Sequence, residues 1–369
     1  MFDGQYAGKK VFITGHTGFK GSWLCSWLLS LGAEVYGYAL EPPSEPSAFA
    51  ALGLEHRIRH TKGDVRDRQT LADVLLACRP DVVFHMAAQA LVRPSYEDPA
   101  QTFETNAIGT LNLLEAVRRA PGVQAVICIT SDKCYRNDEW VWGYRETDSL
   151  GGDDPYSASK ACAEIIAHSY FTSFFRNGPR MATVRAGNVI GGGDWAADRI
   201  VPDCARAWAE KRPAHIRSPF ATRPWQHVLE PLSGYLWLGA KLLGESGGSL
   251  PLDKEAFNFG PATDINATVA CVAEALGAHW PGFSIITDQP ASAGKKESTL
   301  LKLCCDKALA HLDWKAALNF EETISMTAAW YREYYSGESS DPSAMFEFTT
   351  RQIDSYSAEA VRRKLPWSL

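Results

Sequence analysis

Apolar residues fall in short runs that alternate with longer stretches of helical spacing through the first half of the chain. KVFIT (10–14) is a short apolar run closing on glycine, the pattern of a buried parallel strand. Behind it Trp23, Leu24, Trp27, Leu28 and Leu31 recur at helical spacing until Gly32 stops them. EVYGYAL (34–40), TKGDV (61–65), DVVFHMAA (81–88), AVICITS (125–131) and ATVRAGNVIG (182–191) supply the further strands. RQTLADVLLACRP (68–80), NAIGTLNLLEAVRRA (106–120) and YSASKACAEIIAHSYFTSFF (156–175) carry the helical spacing between them. Such alternation predicts right-handed crossovers and a doubly wound parallel sheet covered on both faces, an α/β fold. From Gly191 the beat loosens, Gly, Pro and Trp accumulate, and helical stretches such as VACVAEALGAHW (269–280) lack a strand partner. The expected organisation is a first domain over 1–185, to which the chain returns around 226–258, and a smaller, mixed second domain built mainly from 186–369.

Composition narrows the class without changing the fold. The 369 residues carry 37 Lys and Arg against 43 Asp and Glu, a net charge of −6. That balance argues against a nucleic-acid binder, which needs a clustered basic surplus, so anionic ligands must be held by local donors. No uninterrupted apolar window approaches the ~18 residues of a spanning helix, and MFDGQYAGKKVFITG lacks the segments of a secretory signal. The nine cysteines show no paired spacing and read as ordinary thiols, which together point to a cytoplasmic chain. His56 and His60 are four apart, the spacing that seats a metal on a helix, but Arg57 and Arg59 flank them and no third ligand is evident, so no metal is expected. The aromatic run WYREYY (330–335) reads as a packing helix end.

Gly15, Gly18 and Gly21 follow the first strand directly and open the first helix. Glycine suits the tight turn, the close approach to a pyrophosphate and the helix–strand contact that a dinucleotide-binding Rossmann-type loop requires. The loop GHTGFKG places Thr17, Phe19 and Lys20 beside the same ligand. The acidic residue expected for the ribose is Glu41, slightly late, which leaves NAD and NADP both open with NAD preferred. Asp64 and Val65, in GDVRD, are expected at a strand end near the adenine. Tyr156 and Lys160 lie four apart on one helix face, where an ammonium lowers the pKa of a phenol and makes it a usable base. Ser131, at a strand end, can hydrogen-bond the same substrate oxygen.

TGHTGFKG, HMAAQ, NAIGTLNLLEA, ITSDKCY, DPYSASK, RAGNVIGGGDW and RPWQHVLE together resemble the extended short-chain dehydrogenase/reductase family over nearly the whole chain. Within it the sequence is most similar to the nucleotide-sugar 4,6-dehydratases, and among those to the branch acting on CDP-glucose. The mark of that branch is Ser131-Asp132-Lys133, where other dehydratases generally have Asp-Glu after the hydroxyl residue. The resemblance implies bound NAD, with Ala87, Ala88, Gln89 and Asn106 joining its site and Asn106 bracing the lysine helix. Tyr156 would take the C4 proton, Asp132 would serve the departing C6 hydroxyl, and Lys133 would either remove the C5 proton or only orient Asp132. Asn188 resembles a substrate contact; Arg199, Arg217 and Arg223 are candidates for the diphosphate, Arg223 foremost, with Trp225 and His227 as packing residues. The product would be a 4-keto-6-deoxy sugar for cell-surface polysaccharide such as lipopolysaccharide O-antigen. A homodimer through helices 106–120 and 156–175, or a tetramer of such pairs, is also implied. A 4-epimerase on the same scaffold and a non-enzymatic nucleotide sensor are the competing readings.

Overall fold

The computed structural model describes residues 1–244, 252–262, 267–287, 300–336 and 341–369. Seven parallel strands form the central sheet: β1 (Lys10–Thr14), β2 (Glu34–Ala39), β3 (Arg59–Lys62), β4 (Val82–His85), β5 (Ala125–Ile129), β6 (Arg180–Ala186) and β7 (Glu255–Phe259). Their order is β7-β6-β5-β4-β1-β2-β3. The order reverses between β1 and β4, so a crevice opens beyond their carboxyl ends, where ligands bind in folds of this kind.

The helices that matter here are α1 (Phe19–Ser30), α2 (Arg68–Cys78), α3 (Gly109–Arg119), α4 (Pro155–Ser173), α5 (Ile200–Ala209), α6 (Leu229–Gly244), α7 (Phe320–Tyr335) and α8 (Pro342–Arg362). Capping follows the sequence. Asp67 accepts the Thr70 amide to start α2, and Asp154 accepts the Ser157 amide at 2.9 Å to start α4, with Pro155 in the first turn. That start puts Tyr156 at the mouth of the helix and Lys160 one turn deeper.

Several boundaries differ from expectation: the strands expected over 81–88 and 125–131 are shorter, and the run 182–191 divides into β6 over 180–186 and a separate strand Val189–Ile190 outside the main sheet. β3 runs over 59–62, not 61–65, because Gly63 abuts the Tyr38 ring so closely that a Cβ there would lie 2.3 Å from it. Asp64 and Val65 therefore sit in the loop beyond the strand. The helix expected over 106–120 begins as a π-helical turn over Glu104–Ile108 before continuing as α3. His56 and His60 do not share a helix; His60 is on β3 and its Nδ1 lies 2.7 Å from His16 Nε2.

Beyond β6 the structure is mixed. Short pairs join Val189–Ile190 to Gln226–His227 and Ala214–Ile216 to Ile285–Thr287 in parallel, and Thr222–Arg223 to Ala267–Thr268 antiparallel. α6 follows Gln226–His227 and packs under β5 and β6, and β7 pairs along β6; residues 245–251 of this return lie outside the described residues. One apolar core runs through both regions, from Trp23 and Trp27 on α1 through Leu236 to Trp314, Trp330 and Trp367. Trp225 and His227 are buried in it, as packing residues would be. Among the described residues no helix is long and apolar enough to cross a membrane, and no group of three His, Cys, Asp or Glu gathers to hold a metal.

Candidate active site

The loop between β1 and α1 is shaped by its glycines. Gly15 has φ +77°, and a Cβ there would lie 2.7 Å from Ala87 Cα, so this loop and the one after β4 touch backbone to backbone. A Cβ on Gly21 would lie 2.4 Å from Gly15 O. Gly18 caps α1 without a side chain, which leaves the first-turn amides pointing outward as anion donors. A cradle that side chains would fill, at a helix start between β1 and β4, fits the pyrophosphate of a dinucleotide.

The neighbouring residues divide by role. The Thr17 hydroxyl donates to Leu40 O at 2.9 Å, and Phe19 abuts Gly191, so both hold the loop in place. Ala87, Ala88 and Gln89 form the opposite lip, where the Ala87 amide donates to Thr14 Oγ1 at 3.2 Å. Asn106 accepts from the Gln89 amide at 2.8 Å, returns a bond to Gln89 O at 3.0 Å, and donates to Ser159 Oγ at 2.8 Å. The π-helical turn thus ties the β4 lip to the residue preceding Lys160. Asp64 forks onto Arg66 at 2.6 Å, and Val65 is buried with its carbonyl accepting from Asn112 at 3.0 Å. Glu41 stands exposed beyond β2, paired with Lys62 at 2.6 Å.

Ser131, Asp132, Tyr156 and Lys160 are all buried at the ends of β5 and α4. Ser131 Oγ donates to Asp132 Oδ1 at 3.0 Å, while the Lys133 amide donates to Ser131 Oγ at 3.2 Å. Burial raises the Asp132 carboxyl above its ordinary range, against the opposing pull of Lys133, Ser131 and Lys20. Burial works against the acidified phenol that the Tyr156–Lys160 spacing led one to expect. Burial pushes Tyr156 up to about 12, with Ser131 pulling the other way. Lys160 donates to Ile129 O at 3.4 Å and is lowered to about 8 by burial, which weakens the positive charge the phenol was expected to feel.

Arg199 turns toward this cluster. Its Nη1 bonds Asp194 Oδ2 at 2.7 Å, and burial works against its charge but Asp194 and Tyr156 outweigh it. Asn188 is half-buried, its carbonyl spent on the Gln226 amide at 3.2 Å. Arg223 is half-buried and bonds Thr222 O at 2.8 Å. Arg217 does not join the cluster; it shares the exposed Asp198 carboxylate with Arg93.

Two groups beyond the sequence motifs, Glu164 and Tyr235, complete the site together with Lys20 of the glycine loop. Glu164, one turn beyond Lys160, accepts from Thr130, Thr183 and both arms of Arg185, a pair with both side chains 4% exposed. It locks α4 to β5 and β6. Lys20 reaches from α1 toward Asp132, and burial lowers it to about 8, with Arg199 and Lys160 adding to the fall. Tyr235 on α6 lies behind them. The sequence placed Lys20 in the glycine loop but not toward Asp132, and of the other two only the i+4 spacing of Glu164 from Lys160 was visible.

A family model described as GDP-mannose 4,6 dehydratase matches residues 12–239. The CDP-glucose 4,6-dehydratase of Salmonella typhimurium is 43% identical over 97% of this chain and 98% of its own length. The chain belongs to this dehydratase family. A solved UDP-glucose 4-epimerase from Thermus thermophilus, in complex with NAD, superposes with a TM-score of 0.71 at 25% identity over 88% of this chain and 99% of that one. A dTDP-glucose 4,6-dehydratase from Streptomyces venezuelae, with NAD bound, gives 0.72 at 23% identity over 89% and 98%. Dehydratases and epimerases of this fold therefore share the scaffold.

Proposed function

We propose that the protein is a CDP-glucose 4,6-dehydratase that converts CDP-glucose to CDP-4-keto-6-deoxyglucose with loss of water. The observation that carries this reading is the buried Asp132, bonded by Ser131 beside Tyr156, an acid that an epimerase, with no hydroxyl to expel, does not need. NAD, held by the glycine loop, the β4 lip and Lys160, supplies a reversible hydride acceptor. Tyr156 takes the C4 hydroxyl proton, with Ser131 bonded to the same oxygen. A ketone at C4 acidifies the C5 hydrogen, which Lys133 removes. Asp132 gives its proton to the C6 hydroxyl as that group leaves. Arg199 and Arg223 meet the diphosphate, as paired donors to phosphate oxygens, and Asn188 meets the sugar.

We further infer a substrate region built mainly from 186–369 on a cofactor domain over 1–185, a cytoplasmic location, a homo-oligomer, and a place in deoxysugar supply for cell-surface polysaccharide. The test is incubation with CDP-, dTDP-, UDP- and GDP-sugars, reading product mass. CDP-glucose should lose one water with the highest kcat/KM, and C4-deuterated substrate should give product deuterated at C6. Stoichiometric release of reduced cofactor would make it a simple dehydrogenase, and deuterium returned to C4 with inversion would make it an epimerase.

A further inference from the structure

The glycines of the β1 loop answer to the main chain: Gly15 lies in the left-handed region, and a Cβ on Gly21 would strike backbone atoms. Gly187 is different. It sits half-buried in the gap between β6 and the strand Val189–Ile190, and its φ lies outside the left-handed region that favours glycine. The atoms nearest to a Cβ built there all belong to side chains. Asp132 Oδ2 comes first at 3.1 Å, followed by Asp132 Cγ and Pro224 Cγ at 3.7 Å. One contact alone is tight, and it is with the acid of the site. Ser131 takes the other oxygen, Oδ1, so Oδ2 is the one turned toward Gly187. A hydroxyl bonded to a carboxylate stands about 2.5–3.0 Å from it, and a methyl group at 3.1 Å would fill that shell from this side. Gly187 and Pro224 also line a cavity of about 240 Å³, so the space beside Oδ2 adjoins an opening in the surface.

We propose that Gly187 is a specificity-determining residue, the space of its missing side chain seating the C6 hydroxymethyl group of the sugar against Asp132 Oδ2. The inference rests on the reading of Asp132 given above, which brings the C6 hydroxyl to this acid. A hydroxymethyl group adds a carbon and an oxygen beyond C5, and both must fit between the carboxylate and the wall that faces it. On this side the wall is the Gly187 backbone, and any side chain there would stand between acid and hydroxyl. Asp132 is 4% exposed, so its oxygens are reached through gaps of atomic size. A hexose bound with C4 at Tyr156 fills this gap and sets its C6 hydroxyl on the acid. A pentose bound in the same way has no atom to put there.

The test sets CDP-glucose against CDP-xylose, which lacks C6, on wild type and Gly187→Ala as full chains loaded with NAD. Gly187→Ala should melt at the wild-type temperature or above, because alanine restricts the unfolded chain and meets one side-chain oxygen in the folded one. Its kcat/KM for CDP-glucose should fall about ten- to hundredfold, the scale of one methyl group too many in a fitted pocket. Affinities are read by titration calorimetry in a Tyr156→Phe background, where neither sugar turns over. There Gly187→Ala should weaken CDP-glucose about tenfold or more and leave CDP-xylose within about twofold. Equal weakening of both sugars, or a melting temperature several degrees lower, would make Gly187 a packing residue and overturn the proposal. Turnover and affinity for CDP-glucose within twofold of the parent chains would place C6 elsewhere and overturn it too. A wild type that releases no water from CDP-glucose would instead overturn the reading of Asp132 beneath it.

Discussion

A phenol must lose its proton to act as a base, and at the scale of single residues burial opposes that. Tyr156 stands at about 12 and Lys160 at about 8, both displaced by burial in the direction that makes each less charged. Proton abstraction from C4 then depends on whatever positive charge and hydrogen bonding the loaded site adds to Ser131 and Lys160. Tyr156→Phe removes the acceptor but leaves the glycine loop whole. Its turnover should fall about 10³-fold with NAD affinity unchanged by titration calorimetry. Lys160→Met should lower turnover and move the rising limb of the rate–pH profile to higher pH, because a phenol without its ammonium neighbour ionises later. A profile parallel to wild type would assign Lys160 to holding the cofactor alone.

Elements decide how much of this was legible beforehand. The glycine loop, the Tyr156–Lys160 spacing and five of the strands are local patterns: each is a short window whose period or turn chemistry has one structural solution. β3 was misplaced because it is an edge strand of half-exposed polar residues, RHTK, and its end is set by Tyr38 from another strand. The pairings Arg185–Glu164 and Arg199–Asp194 were illegible because the partner that gives each its meaning is chosen by the topology. The loop makes a direct test. Gly21→Ala forces a Cβ against Gly15 O and His16 Cα, both backbone, so the loop must move. NAD affinity should fall at least tenfold in a chain that still folds by circular dichroism. Glu230 on α6 is another buried group of this kind, accepting from the Ala317 and Leu318 amides and from Tyr356. Burial raises its carboxyl from 4.5 to about 7. The folded chain therefore binds a proton that the unfolded chain releases between those values, and this stabilisation is present below pH 4.5 and lost as pH rises through 7. Glu230→Gln should abolish that slope, at most about 3 kcal/mol between pH 5 and pH 8, as read from denaturant midpoints.

At the scale of the whole molecule, one core joins both regions, so the crevice beyond β1 and β4 is walled on one side by the sheet and on the other by segments from past residue 186. The face bearing α3 and α4 is different. Ile108, Ile165 and Phe174 are about half exposed there, beside a ring of charge in which Glu115 binds Arg68 and Arg118. Apolar side chains set in a charged rim are the composition of an interface between protein chains. The π-helical turn before α3 carries Asn106 and the first turn of α4 carries Tyr156, so a partner seated on them would brace the residues that hold the β4 lip and the base. Pairing should then support the site as well as bury surface. Ile165→Asp places a charge in the middle of the patch, far from the crevice. Light scattering coupled to size exclusion should show wild type at twice the chain mass or more, and the variant shifted toward a single chain. If pairing supports the site, turnover per chain should fall with dilution in the variant and be recovered at high concentration. A variant with unchanged mass, or a monomer with full activity at every concentration, would mean that this face does not carry the assembly or that the site stands without it.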